Sequence, residues 1–214
     1  MKTGRRSDIT KENTFTDRLR KIFKGILDPI AGGLLRIGLT PNAITLFGLV
    51  GHFIAAGLII RGHFVWAGLT LILFAPLDAL DGAMARQLGV SSHFGAFLDS
   101  VTDRYAELVL YGGLLVHFHL QGRLIGIILA YVAIAGSFMV SYTRSRAETL
   151  GYSARIGLFS RVERYLVLLP MLLFRIPEIG LWILAIFTQI TAIQRILHVR
   201  KQALTDQHGA PTAE

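Results

Sequence analysis

The fold class this sequence predicts is an all-α integral membrane protein, with six transmembrane helices behind an N-terminal amphipathic interfacial helix. Three observations carry it. Hydrophobic residues make up 52% of 214 residues, too apolar for a soluble domain and spread over too much chain for one anchor. These residues gather into segments of membrane-spanning length joined by short connections. The basic residues divide unevenly between alternate connections, as the orientation of a polytopic chain requires.

Residues 1–21, MKTGRRSDITKENTFTDRLRK, are polar and basic, with no apolar run leading to a small-residue cleavage site, so no secretory signal is expected there. Between Thr14 and Arg36 the residues Phe15, Leu19, Ile22, Phe23, Ile26, Leu27 and Ile30 recur at helical spacing, with Arg18, Arg20, Lys21 and Lys24 elsewhere around the wheel. A helix so patterned lies in the headgroup layer.

Spans are expected at roughly 41–61, 64–84, 94–119, 122–145, 158–176 and 178–199, with tight connections at Arg61-Gly62-His63 and Leu120 to Arg123. Thr40 can cap the first span and Pro41 suits its first turn, while Pro177 and Glu178 open the last in the same manner. The closing KQALTDQHGAPTAE is short, polar and free of aromatics, and is expected to fray. The chain divides accordingly into a cytoplasmic N-terminus with the interfacial helix (1–37), a six-helix membrane domain (38–201) and a flexible cytoplasmic tail (202–214).

Six spans put both termini on one side. With that side inside, all of the 22 Lys and Arg residues except Arg61, Arg123 and Arg175 are cytoplasmic, which predicts a multi-pass cell (inner) membrane protein with cytoplasmic termini. The same bias accounts for most of the +8 net charge, so no nucleic-acid partner is implied. Cysteine is absent, which excludes disulfides and thiolate catalysis. Trp66 and Trp182 fit an outer aromatic belt, and His63, His117 and His119 fall near outer span ends, distant from the acidic residues described next.

By this alternation the second span runs inward and the third back out, so Asp78 and Asp81 meet Asp99 and Asp103 on the cytoplasmic side. Spacings of three and four residues turn each pair to one side of its helix. A carboxylate near hydrocarbon costs at least ~2.5 kcal/mol, and four together repel, so a positive partner is required. An all-oxygen set favours hard divalent cations, Mg²⁺ or Mn²⁺, and two ions would neutralise four carboxylates while still attracting phosphate. Arg86, one turn beyond Gly82, can set a guanidinium fork against phosphate oxygens.

The pattern D78-x2-D81-G82-x2-A85-R86-x8-G95-x3-D99-x3-D103 resembles the signature of the CDP-alcohol phosphotransferase family at each of its eight fixed positions. The resemblance covers essentially the whole chain, because that family has six membrane helices after an interfacial one. It implies two ions, one held by Asp78, Asp81 and Asp99, the other by Asp78, Asp99 and Asp103. It further implies that Asp103 is the general base, taking a proton from an acceptor hydroxyl that attacks the lipid-bearing phosphorus of CDP-diacylglycerol or CDP-archaeol and expels CMP. Contacts to the cytidine or diphosphate are implied for Asn42 and Thr45 in TPNAIT, and for Gly82, Arg86 and Ser92. A homodimer is typical of the family.

A second polar cluster, SYTRSRAE at 141–148 with SRVER at 160–164 and QR at 194–195, resembles the subgroup of that family whose acceptor is inositol 1-phosphate. On that resemblance Arg144, Arg146, Arg161, Arg164 and Arg195 clamp the acceptor's phosphate. Ser160 and Val162 depart from the subgroup's usual Glu and Pro. Glycerol 3-phosphate is the alternative acceptor. An intramembrane prenyltransferase would also use aspartates and Mg²⁺, but would not require DGxxAR. A transporter would need polar groups continuing across the membrane, whereas these acids share one face.

Overall fold

The structure, a computed structural model, describes residues 15–74, 76–89 and 92–209, with the side chains of 15–24, 26 and 207–209 outside the description. Among the described residues all regular structure is helical: α1 (Phe15–Arg36), α2 (Pro41–Ile60), α3 (Phe64–Phe74), α4 (Leu77–Gln87), α5 (His93–Leu120), α6 (Leu124–Thr149), α7 (Arg161–Leu173) and α8 (Pro177–Gly209).

Helix ends follow the local chemistry. Thr40 caps α2, its hydroxyl accepting from Ala43 N at 3.2 Å, and Pro41 opens the first turn. Both predicted tight connections are Schellman turns with a left-handed glycine, Gly62 (φ 77°) after α2 and Gly122 (φ 66°) after α5. In each, the following amide reaches back five residues, His63 N to Leu58 O and Arg123 N to Phe118 O, both at 2.9 Å. The result is a set of helices that reverse direction within a few residues.

Among the described residues four stretches are long and apolar enough to cross a bilayer: Pro41–Ile60, Phe64–Gln87, Leu124–Thr149 and Pro177–Asp206. The second comprises α3 and α4, two helices rather than the single one expected, with Pro76 at the N-cap of α4. A proline there ends the preceding helix and starts the next. α5 has 28 residues and ample length, but Asp99, Asp103, Arg104 and Glu107 lower its hydropathy. α7 has only 13 residues, about 20 Å at 1.5 Å per residue, against a hydrocarbon core of about 30 Å. Residues 202–209, at the start of the expected tail, continue α8; residues 210–214 lie outside the described residues.

The expected stripe of α1 is described only from Gly25 onward, without Ile26; Phe15, Leu19, Ile22, Phe23, Arg18, Arg20, Lys21 and Lys24 have side chains outside the described residues. Leu27, Ala31, Leu34 and Leu35 pack with Ile44 of α2 and with Leu77, Leu80, Ala83 and Met84 around α4. Gln87 Nε2 ties the far end of α4 to Asp28 O of α1 at 2.7 Å.

The main core joins α2, α3, α5, α6, α7 and α8 through Ile59, Leu71, Leu110, Tyr111, Leu114, Phe118, Leu129, Leu168, Leu172, Leu181 and Leu184. Small residues set the helix spacing. A Cβ on Gly113 of α5 would lie 3.1 Å from Ala56 O of α2, and one on Gly136 of α6 only 2.0 Å from Thr188 Oγ1 of α8. Large apolar side chains, including Phe53, Trp66, Leu73, Ile125, Phe138, Trp182 and Ile186, face outward. So much exposed apolar surface suits lipid rather than water.

Candidate active site

The signature residues belong to α4 and α5, and both helices lie against α2, which serves as their common backing. Asp78 and Asp81 stand in the first turns of α4, and Asp99 and Asp103 in the second and third turns of α5. The element that closes the gap is the start of α7. Arg161 Nη2 lies 2.5 Å from Asp78 Oδ2, and its Nη1 pairs with Asp103 Oδ1. One guanidinium thus bridges two carboxylates that are 25 residues apart and belong to different helices. Arg161 Nε is buried with no hydrogen-bond partner among the described residues. Asp103 also has Arg104 Nη1 at 3.4 Å.

Asp81 turns instead towards α2. The Thr45 hydroxyl donates to Asp81 Oδ2 at 2.5 Å, and the same hydroxyl lies 3.1 Å from Pro41 O. Asp99 is half-buried on the same side of α5 as Asp103, one turn earlier. Among the described residues no three acidic, His or Cys side chains gather around a common point as metal ligands would. The donor chemistry nevertheless fits divalent ions, because Asp78 and Asp103 already converge on one cation and the set consists of oxygen alone.

Of the residues expected at the CDP-lipid, Thr45 is the one on Asp81, and the other four fall into two groups. Arg86 folds back along α4, so that a Cβ on Gly82 would lie 3.3 Å from Arg86 Nη1. Ser92 caps α5, its hydroxyl accepting from Gly95 N at 2.8 Å. A Cβ on Gly95 would meet Ser92 Oγ at 2.9 Å and Asn42 Oδ1 at 3.4 Å, so Asn42, Ser92 and Gly95 come together at the mouth between α2 and α5.

The five arginines separate. Arg144 is 46% exposed and pairs with Glu148, at 3.1 Å on its own helix; Arg146 is exposed near it. Arg161 is at the aspartates. Arg164 is 2% exposed and fully engaged: Nη2 and Nε reach Glu107 Oε1 at 2.6 and 3.3 Å, and Nη1 donates to Phe159 O at 3.1 Å. Arg195 is also buried, donating through Nε to Ile156 O at 2.9 Å and through Nη1 to Val140 O. Of the five, Arg161 alone is seen paired with the aspartates among the described residues, and Arg164 and Arg195 are buried against other partners.

Glu107 carried no expectation, although it extends the Asp99, Asp103 stripe by one further turn. His52 and Tyr165 are likewise new to the site: His52 Nε2 lies 2.7 Å from Tyr165 Oη, and Arg161 sits over the Tyr165 ring at 5.6 Å from its centroid. Nothing local in the sequence links positions 52 and 165.

Residues 38–198 match the model of a family described as CDP-alcohol phosphatidyltransferase. The chain is 36% identical to a phosphatidylinositol phosphate synthase of Streptomyces avermitilis, across 91% of this chain and 86% of that protein. It is equally 36% identical to an archaetidylinositol phosphate synthase of Pyrococcus horikoshii, across 86% and 96% of the two chains. Among solved structures, Mycobacterium tuberculosis phosphatidylinositol phosphate synthase with CDP-DAG bound superimposes with a TM-score of 0.73 at 34% identity, covering 81% of this chain and 93% of the other. The same enzyme in complex with manganese and citrate gives 0.74 at 32% identity, covering 81% and 88%.

Proposed function

The chain belongs to the CDP-alcohol phosphatidyltransferase family, and on that premise we propose that it transfers the phosphatidyl group of a CDP-linked lipid to a hydroxyl of inositol 1-phosphate, giving phosphatidylinositol phosphate and CMP. The observation that carries this reading is the Asp78, Arg161, Asp103 bridge, which sets a phosphate-binding cation directly beside a candidate base. The inositol phosphate synthases among its relatives support the choice of acceptor.

Asp103 takes the proton from the attacking hydroxyl, and Arg161 and Arg104 neutralise its charge until substrate arrives. Asp78, Asp81, Asp99 and Asp103 hold two Mg²⁺ or Mn²⁺ ions, a reading supported by the manganese complex of the mycobacterial enzyme. When bound, the ions supply positive charge to the diphosphate. Thr45 orients Asp81 through its hydroxyl. Asn42 and Ser92 meet the cytidine side of the donor, while Gly82 leaves room over α4 for the diphosphate and Arg86 binds its oxygens. Arg144, Arg146 and Arg161 receive the acceptor's phosphate. Arg164 and Arg195 act from beneath, fixing the backbone at Phe159, Ile156 and Val140.

Six spans, with α5 and α7 as the third and fifth, an interfacial α1, both termini and the site at the cytoplasmic face of the cell membrane, and a homodimer complete the proposal. The charge asymmetry of the connections supports the orientation. The deciding experiment follows CMP release from CDP-diacylglycerol with inositol 1-phosphate, glycerol 3-phosphate, inositol and serine in turn. Turnover with inositol 1-phosphate is expected; turnover with glycerol 3-phosphate alone would overturn the acceptor assignment.

A further inference from the structure

α2 is apolar almost throughout, yet Thr45, Gly48 and His52 draw a line along one face of it, and each meets the site. Thr45 binds Asp81 at 2.5 Å. Gly48 admits Asp78 close to the helix: a Cβ there would lie 3.7 Å from Asp78 Oδ1. His52, 1% exposed, has its Nδ1 2.7 Å from Gly48 O and its Nε2 2.7 Å from Tyr165 Oη. A carbonyl oxygen can only accept, so Nδ1 carries the ring proton, which leaves Nε2 to accept the Tyr165 hydroxyl proton. Each polar group of His52 is thereby satisfied, at the cost of fixing the Tyr165 ring from its far end.

The ring so fixed lies under Arg161, one helical turn earlier on α7, with the guanidinium 5.6 Å from its centroid. Arg161 is long and flexible, and its carboxylate partners stand on two other helices. The Tyr165 ring is a rigid aromatic surface under this guanidinium, and it limits where the guanidinium can go.

We propose that His52 and Tyr165 are positioning residues which set the reach of Arg161 and thereby tune the enzyme's grip on its phosphorylated acceptor. This rests on the reading that Arg161 faces the acceptor's phosphate. Neither residue touches the reacting atoms; His52 acts through Tyr165, and Tyr165 through Arg161.

The test compares purified full-length wild type with Y165F, H52L and H52Q by CMP release from CDP-diacylglycerol, varying each substrate, with thermal unfolding measured in parallel. Y165F keeps the ring but loses the tether, H52L removes the acceptor of that tether, and H52Q restores an acceptor atom near the Nε2 position. Loss of one hydrogen bond should raise the acceptor KM about fivefold in Y165F and H52L, with kcat and the CDP-diacylglycerol KM within about twofold of wild type and H52Q recovering most of the difference. An unchanged acceptor KM in folded Y165F overturns the proposal. So does a parallel decline of every parameter with the unfolding temperature and no recovery in H52Q, since that is what a packing role produces. If H52L does not fold, Y165F decides alone. Should wild type refuse inositol 1-phosphate, the acceptor assignment falls separately, and the same KM split is read with the phosphorylated alcohol that wild type does use.

Discussion

Asp103 and Arg164 show how differently two charged residues close in space are used. Asp103 keeps 15% of its side chain exposed and pairs with Arg161 and Arg104, whereas Arg164, 2% exposed, is sealed against Glu107 and the Phe159 carbonyl. Asp103→Asn should therefore lower kcat for CMP release by about 100-fold or more, the span assigned to a positioned base, with the variant still eluting as folded protein by size-exclusion chromatography. Arg164→Ala should act on the fold first, because it strands a buried carboxylate; a loss of about 3–5 kcal/mol is expected, read as a lowered denaturation midpoint in detergent. The aspartates were legible because their spacing along two helices is local information. The partners of Arg161, Thr45 and His52 were not, since each lies in another helix and is chosen by packing. The pairing of Arg164 with Glu107 was hidden for the same reason: in sequence, an arginine beside a site reads alike whether it faces a ligand or a neighbouring acid.

At the scale of the element, hydropathy and turn chemistry located the helices well, and the Gly62 and Gly122 turns fell where the short connections were expected. Two departures have physical causes. Pro76 divides the second span into α3 and α4, a break that proline alone announces. α7 stops at Leu173, followed by Arg175 in a left-handed conformation (φ 58°), and is shorter than the apolar run around it. Helix spacing itself is set by glycine. A methyl on Gly136 would fall 2.0 Å from Thr188 Oγ1 and 2.8 Å from its Cβ, so Gly136→Ala should destabilise the contact of α6 with α8 by about 1–3 kcal/mol despite alanine's better helix propensity. Thermal unfolding in detergent measures it.

For the whole molecule, the absence of cysteine gives a direct assay of topology. Single cysteines at Arg155 and at Gln121, labelled with a membrane-impermeant maleimide in intact cells and in inverted vesicles, should react oppositely: position 121 from outside, position 155 only when the inner face is exposed. Equal labelling would contradict the cytoplasmic placement of the site. The overall class, a helical chain with several apolar helices of membrane-spanning length, was readable from hydropathy. The support of α4 was not, because it comes from a helix that reads by itself as a surface anchor.

That support bears on how far the chain can be shortened. The family match begins at residue 38, yet Leu27, Ala31, Leu34 and Leu35 of α1 form the outer wall of the helix bearing Asp78 and Asp81, and Asp28 O holds its last turn. A truncated chain beginning at residue 38 would keep every signature residue while leaving Leu80 and Met84 uncovered. The minimal working unit is accordingly larger than the family-matched segment, and its extra portion is a brace that the catalytic pattern never mentions.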